Sequence, residues 1–222
     1  MNYPGGKGSL YQKIINLIPP HRVYIETHAG GGAVLRHKRP ARSNIAIDVD
    51  APALARLSGA IASNGGGAVE FVNADAVAWL SAYDFYGDEF IYADPPYVMS
   101  SRRQHRQLYR YEYTEQQHVE LLDCLIALPC KVMISGYWSE LYADKLKDWH
   151  VISFQARTRG GSWATEYLWM NYPEPIELHD YQYLGDNYRE RERIKRKARR
   201  WAKKFQAMPL LERQAIMAAL KI

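Results

Sequence analysis

The stretch VYIETHAGGGAVL, residues 23–35, combines an apolar run, a turn of three glycines and a second apolar segment. VYIET (23–27) is typical of a short buried strand, and the residues after it fit a helix over 31–38. Gly30, Gly31 and Gly32 allow a tight turn in which the backbone can come close to a ligand. The stretch therefore predicts a strand that passes through a glycine turn into a helix.

The same alternation of strand and helix continues along the chain. Further strands are predicted at 44–50, 69–75, 89–94 and 131–137, with helices at 51–63, 76–82 and 115–127. Several strands are continuously apolar, as expected of a parallel sheet covered on both faces. Two more strand-like runs, 150–159 and 162–172, are joined by Gly160 and Gly161, which suit a hairpin turn. The sequence predicts a Rossmann-like α/β fold whose mostly parallel sheet ends in an antiparallel hairpin.

The bulk composition excludes several classes of protein. The chain has 222 residues, of which 47% are hydrophobic, so it can bury a core. It contains no run of 18 apolar residues, and the N-terminus lacks the apolar region of a signal peptide. Its two cysteines have no metal-ligand spacing. We therefore expect a cytoplasmic protein with no membrane span, no disulfide framework and no metal site.

Charge divides the chain into two parts. Residues 186–222 hold 12 of the 29 Lys and Arg residues and 4 of the 24 Asp and Glu residues. This basic tail is predicted to form helices over 187–207 and 209–220. We expect a catalytic domain over residues 1–180 and a basic helical extension over 186–222. The asymmetry indicates a polyanionic partner.

Four predicted strands end in acids, namely Glu26, Asp48, Asp75 and Asp94. In an open α/β sheet, ligands bind beyond the carboxyl ends of the strands, and an acid about 20 residues after the first strand commonly binds ribose hydroxyls. Asp48 has this position. Because the glycine turn lacks the third glycine of G-x-G-x-x-G, it favours a nucleoside-containing cofactor over a dinucleotide. The alternative reading, in which an acid only caps the following helix, has most weight for Glu26 and Asp75.

The stretch FIYADPPY, residues 90–97, places Asp94 directly after a strand and follows it with Pro95, Pro96 and Tyr97. The proline pair fixes the backbone, so Asp94 is held in place at the end of the sheet. A carboxylate there could accept a hydrogen bond from an exocyclic amine and orient it for attack on a methyl group. Tyr97 would offer a flat face to an extruded base. The alternative is a rigid turn with a capping Asp.

The chain resembles the Dam-like DNA adenine-N6 methyltransferases, including the short versions found in phages. Four motifs match in the family's order: YPGGK (3–7), ETHAGGGAVL (26–35), AIDVD (46–50) and DPPY (94–97). Tyr3 replaces the usual Trp, Thr27 the usual Pro and His28 the usual Phe. The resemblance covers roughly residues 1–172. It implies a methyltransferase fold with S-adenosylmethionine as the cofactor.

The resemblance also implies roles for particular residues. The catalytic tetrapeptide would be Asp94, Pro95, Pro96 and Tyr97, which hold the target adenine. The cofactor would be bound by Tyr3, Lys7, Glu26, Ala29, Gly30, Gly32, Asp48, Asp75 and Asp94. The sulfonium of S-adenosylmethionine already makes its methyl group electrophilic, so the reaction needs no metal.

Larger family members carry a recognition domain before DPPY, and this chain has only 45 residues between Asp48 and Asp94. We therefore expect recognition of double-stranded DNA by the segment 99–114, with the hairpin tip as a second candidate. The basic tail is a third contact surface, which binds phosphates without sequence preference or binds a protein partner. Arginines reach phosphates and base edges, and tyrosines stack on bases. The predicted DNA contacts are Arg102, Arg103, Arg106, Tyr109, Arg110, Arg157, Lys195 and Lys197. The enzyme is expected to act as a monomer.

Two other functions are compatible with the same sequence. The chain could be a non-catalytic nucleic-acid-binding protein that has kept the fold. It could also transfer methyl groups to RNA or to N4 of cytosine, because DPPY indicates an amino acceptor without fixing the base.

Overall fold

The computed structural model describes residues 7, 10–63, 67–102, 110–157 and 163–220. Its strands are β1 (Val23–Thr27), β2 (Ser43–Asp48), β3 (Glu70–Asn73), β4 (Glu89–Ala93), β5 (Lys131–Gly136), β6 (His150–Arg157) and β7 (Trp163–Met170). Its helices are α1 (Tyr11–Ile15), α2 (Ala33–His37), α3 (Ala51–Ser63), α4 (Ala76–Ala82), α5 (Glu115–Ala127), α6 (Glu140–Lys145), α7 (Tyr188–Gln206) and α8 (Leu210–Leu220). A 3-10 turn spans Met99–Ser101.

In the described ranges, seven strands form one sheet in the order β3-β2-β1-β4-β5-β7-β6. Pairing is parallel from β3 through β5, and β7 is antiparallel to both β5 and β6. The predicted α/β fold and its C-terminal antiparallel hairpin are confirmed. The predicted Gly160-Gly161 turn lies outside the described residues.

The strand order changes direction between β1 and β4. The chain moves from β1 outward to β2 and β3, then returns to the other side of β1 and continues from β4 to β5. Such a switch point leaves a crevice at the carboxyl ends of the two central strands. Thr27 ends β1, and Ala93 ends β4 directly before Asp94, so the DPPY tetrapeptide begins at this crevice.

The central strands are buried on both faces, which explains their continuous apolar sequences. All five residues of β4 are buried, and Ile25, Ile47 and Ile91 are fully inaccessible. Crossover helices pack on each side of a parallel sheet and so cover both faces of its strands. The sheet therefore provides a rigid base for the loops at its carboxyl edge.

Helix boundaries follow local capping. Thr114 and Gln117 form a complete capping box at the start of α5, as their spacing predicts. Helix α2 begins two residues later than predicted because Gly32, its N-cap, has a left-handed φ of 56°. Sequence patterning missed α1 and α6, which have 5 and 6 residues and are too short for a clear helical period.

Contacts divide the chain into two units, Met1–His179 and Asp180–Ile222. The first contains the sheet and its helices. The second contains α7 and α8, and Asn187 caps α7 by accepting a hydrogen bond from the Glu190 N–H at 3.0 Å. Among the described residues, none of the helices combines the length and hydropathy that crossing a membrane requires.

Candidate active site

Asp94 lies at the carboxyl end of β4, between β1 and β5. Its backbone N–H donates to the Thr27 carbonyl of β1 at 3.4 Å. One carboxylate oxygen, Oδ1, accepts hydrogen bonds from Lys7 Nζ at 2.8 Å and from Ser135 Oγ at 2.6 Å. Ser135 belongs to β5, so β5 and the N-terminal segment fix this carboxylate, and β1 fixes the backbone of Asp94.

The second carboxylate oxygen of Asp94, Oδ2, receives no hydrogen bond from any residue in the described ranges. The side chain is 21% exposed, whereas the Lys7 side chain beside it is 4% exposed. Two donors therefore fix one oxygen and leave the other to bind a ligand. This arrangement suits an acceptor whose direction must be set in advance.

Lys7 also contacts the Tyr97 hydroxyl and lies 3.3 Å from Glu166 Oε2. The Tyr97 hydroxyl donates to the same glutamate oxygen at 2.9 Å. Lys7, Asp94, Tyr97 and Glu166 thus form one buried polar cluster, which we call the Lys7 cluster. The sequence reasoning placed Lys7, Asp94 and Tyr97 here and missed Glu166.

Tyr97 differs from the open aromatic face that the sequence predicted. The residue is only 7% exposed, and its ring packs edge-on against Tyr137 with 4.5 Å between ring centroids. Its hydroxyl is bound within the Lys7 cluster. Trp138, which follows Tyr137 after β5, is 52% exposed and is a further aromatic residue that the sequence reasoning missed.

Burial and charge act in opposite directions on the Lys7–Asp94 pair. Burial alone would lower the pKa of Lys7, but the charges of Asp94 and Glu166 outweigh it and hold that pKa well above its ordinary value. Burial raises the pKa of Asp94, and the Lys7 ammonium opposes the rise. Because the two groups share a charge-assisted hydrogen bond, we take the ionised pair as the working state.

The glycine turn between β1 and α2 lies beside Asp48. Gly30 and Gly32 have φ values of 48° and 56°, and the Gly30 N–H donates to Asp48 Oδ2 at 2.7 Å. A Cβ on Gly32 would come within 2.5 Å of the buried Leu57 side chain. Ala29, which is 4% exposed, connects the turn to β2 through its N–H to the Ile47 carbonyl. Glycine is therefore favoured at position 30 by conformation, and at position 32 by both conformation and space.

The acids Glu26 and Asp75 act mainly as helix caps. The Glu26 carboxylate is buried and accepts from the Leu35 N–H at 2.9 Å and from the Tyr24 hydroxyl at 2.6 Å. Burial raises the pKa of Glu26 to about 7. Asp75 is exposed and accepts from the Ala78 N–H at 2.9 Å, which caps α4. This is the alternative reading that the sequence left open for these two residues.

Arg102 has a position that does not fit the predicted DNA contact. It is 5% exposed, and its guanidinium donates to both carboxylate oxygens of Glu112, at 2.9 Å and 2.5 Å. The same guanidinium donates to the Tyr97 carbonyl at 2.9 Å through Nε. Arg102 therefore holds the DPPY loop from within the protein. An arginine among arginines and tyrosines looks the same in sequence whether it is paired or solvated.

The other predicted DNA contacts are placed differently. The Arg110 side chain is 65% exposed and lies 3.8 Å from Asp50 Oδ1. Lys195 and Lys197 belong to α7 in the second unit, where Lys195 is 3.6 Å from Glu192 and Lys197 is exposed. Arg157 is the last residue of β6. Arg103, Arg106 and Tyr109 lie outside the described residues, as does Tyr3, which was predicted to bind the cofactor.

Replacement of Arg102 by alanine is expected to lower the free energy of unfolding by about 3 kcal/mol, because the buried Glu112 carboxylate would lose the guanidinium that pairs with it. Urea unfolding measures the change. Arg110→Ala is the control, and this exposed arginine should change stability by less than about 0.5 kcal/mol. Loss of DNA affinity in Arg102→Ala at unchanged stability would instead support the original DNA-contact prediction.

A chain of rings connects the glycine turn to α5. His28, with φ of 58°, is hydrogen-bonded through Nε2 to the Tyr113 hydroxyl at 2.8 Å. His118 is fully buried and is bonded through Nδ1 to the Tyr142 hydroxyl at 3.0 Å. Its Nε2 has no hydrogen-bond partner in the described parts of the chain. Burial lowers the pKa of His118 to about 4, because a proton there would introduce an unsolvated charge.

Acid should destabilise the protein partly through His118. The folded pKa is about 4 and the ordinary value is 6.5, so between these values the unfolded chain binds more protons than the folded one. Stability is therefore lost as the pH falls from 6.5 towards 4. We expect His118→Gln to make the melting temperature less dependent on pH in this interval, as measured by calorimetry. An unchanged pH dependence would contradict this assignment.

The described residues contain no cluster of His, Cys, Asp and Glu that could hold a metal ion. The groups that the site offers to a ligand are the fixed Asp94 carboxylate, the buried Lys7 ammonium and aromatic rings. These groups can bind and orient a ligand through hydrogen bonds and charge.

Three solved proteins share this fold at low sequence identity. A protein from Streptococcus mutans, described as a methyltransferase and bound to SAH, has a TM-score of 0.50 and 13% identity, covering 72% of this chain and 96% of that one. TrmN from Thermus thermophilus has a TM-score of 0.52 and 14% sequence identity, covering 73% of this chain and 47% of that one. TrmK from M. capricolum, bound to the cofactor product SAH, has a TM-score of 0.50 and 8% sequence identity, covering 96% of this chain and 94% of that one.

At these identities the likeness establishes the fold, and the chain has the Rossmann-like fold of these proteins. No family model matches the chain, and no curated protein matches it.

Proposed function

We propose that the protein is an S-adenosylmethionine-dependent DNA methyltransferase that acts on N6 of adenine. The observation that carries this proposal is the Asp94 carboxylate, with Oδ1 fixed by Lys7 and Ser135 and Oδ2 left without a described donor. It lies at the switch point of a methyltransferase-type sheet, where such folds bind their ligands. The order of the four sequence motifs supports the same assignment.

The residues beside Asp94 suit the proposed cofactor. Asp48 accepts one backbone N–H on each oxygen, from Gly30 at 2.7 Å and from Asp50 at 2.8 Å. A carboxylate has about four acceptor positions, so both oxygens can also accept from ribose hydroxyls. Burial raises the pKa values of Glu26, Asp48 and Asp94, and a cationic ligand would offset the cost of keeping these acids ionised.

In this proposal, the cofactor supplies a methyl group made electrophilic by its sulfonium charge. Asp94 Oδ2 accepts an N–H of the target amine and so directs the nitrogen lone pair, which is otherwise delocalised into the base. The carbon–nitrogen bond would form as the carbon–sulfur bond breaks, the thioether would leave, and the displaced N–H proton would pass to water. Lys7 and Ser135 hold Asp94 in place, and the fixed proline backbone of DPPY limits its movement. Orientation and exclusion of water are the contributions that the protein itself makes.

The target base must leave the duplex to reach Asp94. Tyr97 is buried and packs against Tyr137, so we assign the stacking surface to Trp138, which follows Tyr137 in the chain and is 52% exposed. Arg110 and the basic residues of α7 would bind phosphates, which predicts DNA affinity that falls steeply with salt.

The acceptor is tested by incubating the full chain with isotopically labelled S-adenosylmethionine and unmethylated duplex DNA, single-stranded DNA or RNA. Mass spectrometry of the released nucleosides then identifies the modified base. We expect N6-methyladenine in DNA. Methylated RNA would identify RNA as the acceptor, and N4-methylcytosine would identify N4 of cytosine; either result would contradict transfer to adenine N6 in DNA.

A non-catalytic binding protein is the other alternative. It predicts nucleic-acid binding with no labelled nucleoside in any of the three substrates. The exposed charge of α7 alone would account for such binding, so the binding measurement must accompany the transfer measurement.

A further inference from the structure

Glu166 is a second carboxylate in the Lys7 cluster, and the antiparallel hairpin is what brings it there. β7 runs antiparallel to β5, with Tyr167 paired to Gly136 at the carboxyl end of β5. Glu166 therefore lies one residue beyond that pair, at the same edge of the sheet as Asp94. A parallel strand in this place would present its amino end at the opposite edge.

Among the described residues, the Glu166 side chain forms its ion pair and its hydrogen bond with the cluster that holds Asp94. Its Oε2 lies 3.3 Å from Lys7 Nζ and accepts the Tyr97 hydroxyl proton at 2.9 Å. Its side chain is 17% exposed. Lys7 supplies only one positive charge for the two carboxylates beside it.

The charge balance of the cluster is therefore negative. Asp94 and Glu166 each carry one negative charge when ionised, and Lys7 carries one positive charge. Without Glu166, the Lys7–Asp94 pair would be neutral. The hairpin glutamate thus leaves a net negative charge in a partly buried site, where screening by water is reduced.

We propose that Glu166 is a specificity-determining residue that makes the site prefer the sulfonium cofactor to its thioether product. This inference rests on the proposed function. S-adenosylmethionine and S-adenosylhomocysteine differ by the transferred methyl group and by the positive charge on sulfur. A net negative site stabilises the charged form selectively, and loss of that charge on transfer favours release of the product. The hydrogen bond from Tyr97 serves to orient the Glu166 carboxylate.

Glu166→Gln tests the charge with little change in shape, because the amide oxygen can still accept from Tyr97. Isothermal titration of the full chain gives the dissociation constants for S-adenosylmethionine and S-adenosylhomocysteine separately. We expect the preference for S-adenosylmethionine to fall by about tenfold, as the loss of one charge at intermediate dielectric implies. Affinity for S-adenosylhomocysteine should change much less.

Two further variants separate charge from structure. Glu120→Gln removes one negative charge from an exposed position on α5 and should leave the preference as in the wild type. Glu166→Asp keeps the charge and should retain most of the preference. If Glu166→Gln weakens both ligands by the same factor, Glu166 has only a structural role and the inference is wrong.

A second comparison needs no variant. The wild type should bind S-adenosylmethionine more tightly than S-adenosylhomocysteine, and equal affinity for the two ligands contradicts the inference. If the wild type binds neither ligand, the proposed function itself fails, and this outcome differs from binding without a charge preference.

Discussion

Replacement of Asp94 by alanine is expected to reduce methyl transfer by a factor of about 10³, because the acceptor that directs the target amine is lost. Lys7 would still pair with Glu166 at 3.3 Å, so the fold should survive the change. Single-turnover transfer of labelled methyl groups to duplex DNA measures the effect on chemistry. The affinity for S-adenosylmethionine, measured separately, should fall by much less.

Asp94→Asn separates the role of the acceptor from that of the charge. The amide keeps one oxygen that can accept an N–H, but it loses the negative charge and can turn its NH₂ group towards the substrate. We expect a transfer rate between those of Asp94→Ala and the wild type. Equal rates for the wild type and Asp94→Ala would show that this carboxylate does not take part in the reaction.

Replacement of Lys7 by methionine is expected to have the largest effect on stability. Asp94 and Glu166 would be left as two partly buried carboxylates without the ammonium that bonds both of them. Breaking a buried ion pair by removing one partner costs about 3 kcal/mol or more. Urea unfolding should show this loss, and methyl transfer at neutral pH should fall because the pKa of Asp94 rises further without Lys7.

The double variant Lys7→Met/Glu166→Gln is the matched control for that prediction. It removes one of the two carboxylates and should recover part of the lost stability, which demonstrates coupling between the residues. Simple addition of the two separate effects would contradict a shared cluster. Transfer by Lys7→Met should also recover at higher pH, where Asp94 is ionised again.

The fold was predictable because its signals are local. Continuous apolar runs identified the buried parallel strands, and the spacing of Thr114 and Gln117 identified the start of α5. The doubled glycine at 160–161 suggested the hairpin between β6 and β7, whose antiparallel pairing is observed. The short helices α1 and α6 were not predicted, because 5 or 6 residues do not complete two helical turns and so show no amphipathic period.

The site was predictable only in part, because its contacts join distant segments. Lys7 and Tyr97 are in contact although they are 90 positions apart in the sequence, and Tyr97 and Glu166 are 69 positions apart. No local pattern specifies such pairs. The signal for Glu166 was a single acid in the otherwise uncharged strand WATEYLWM, residues 163–170. A solvent-facing position would have explained that acid equally well. Arg102 was misplaced for a related reason, since its partner Glu112 is ten positions away.

The most direct test of the account is a single-turnover reaction of the wild type and Asp94→Ala with deuterium-labelled S-adenosylmethionine and unmethylated duplex DNA. The labelled nucleosides are then identified by mass spectrometry. We predict labelled N6-methyladenine from the wild type and at most a trace from Asp94→Ala. Absence of any labelled base from a wild-type protein that binds both DNA and the cofactor would contradict the proposed activity.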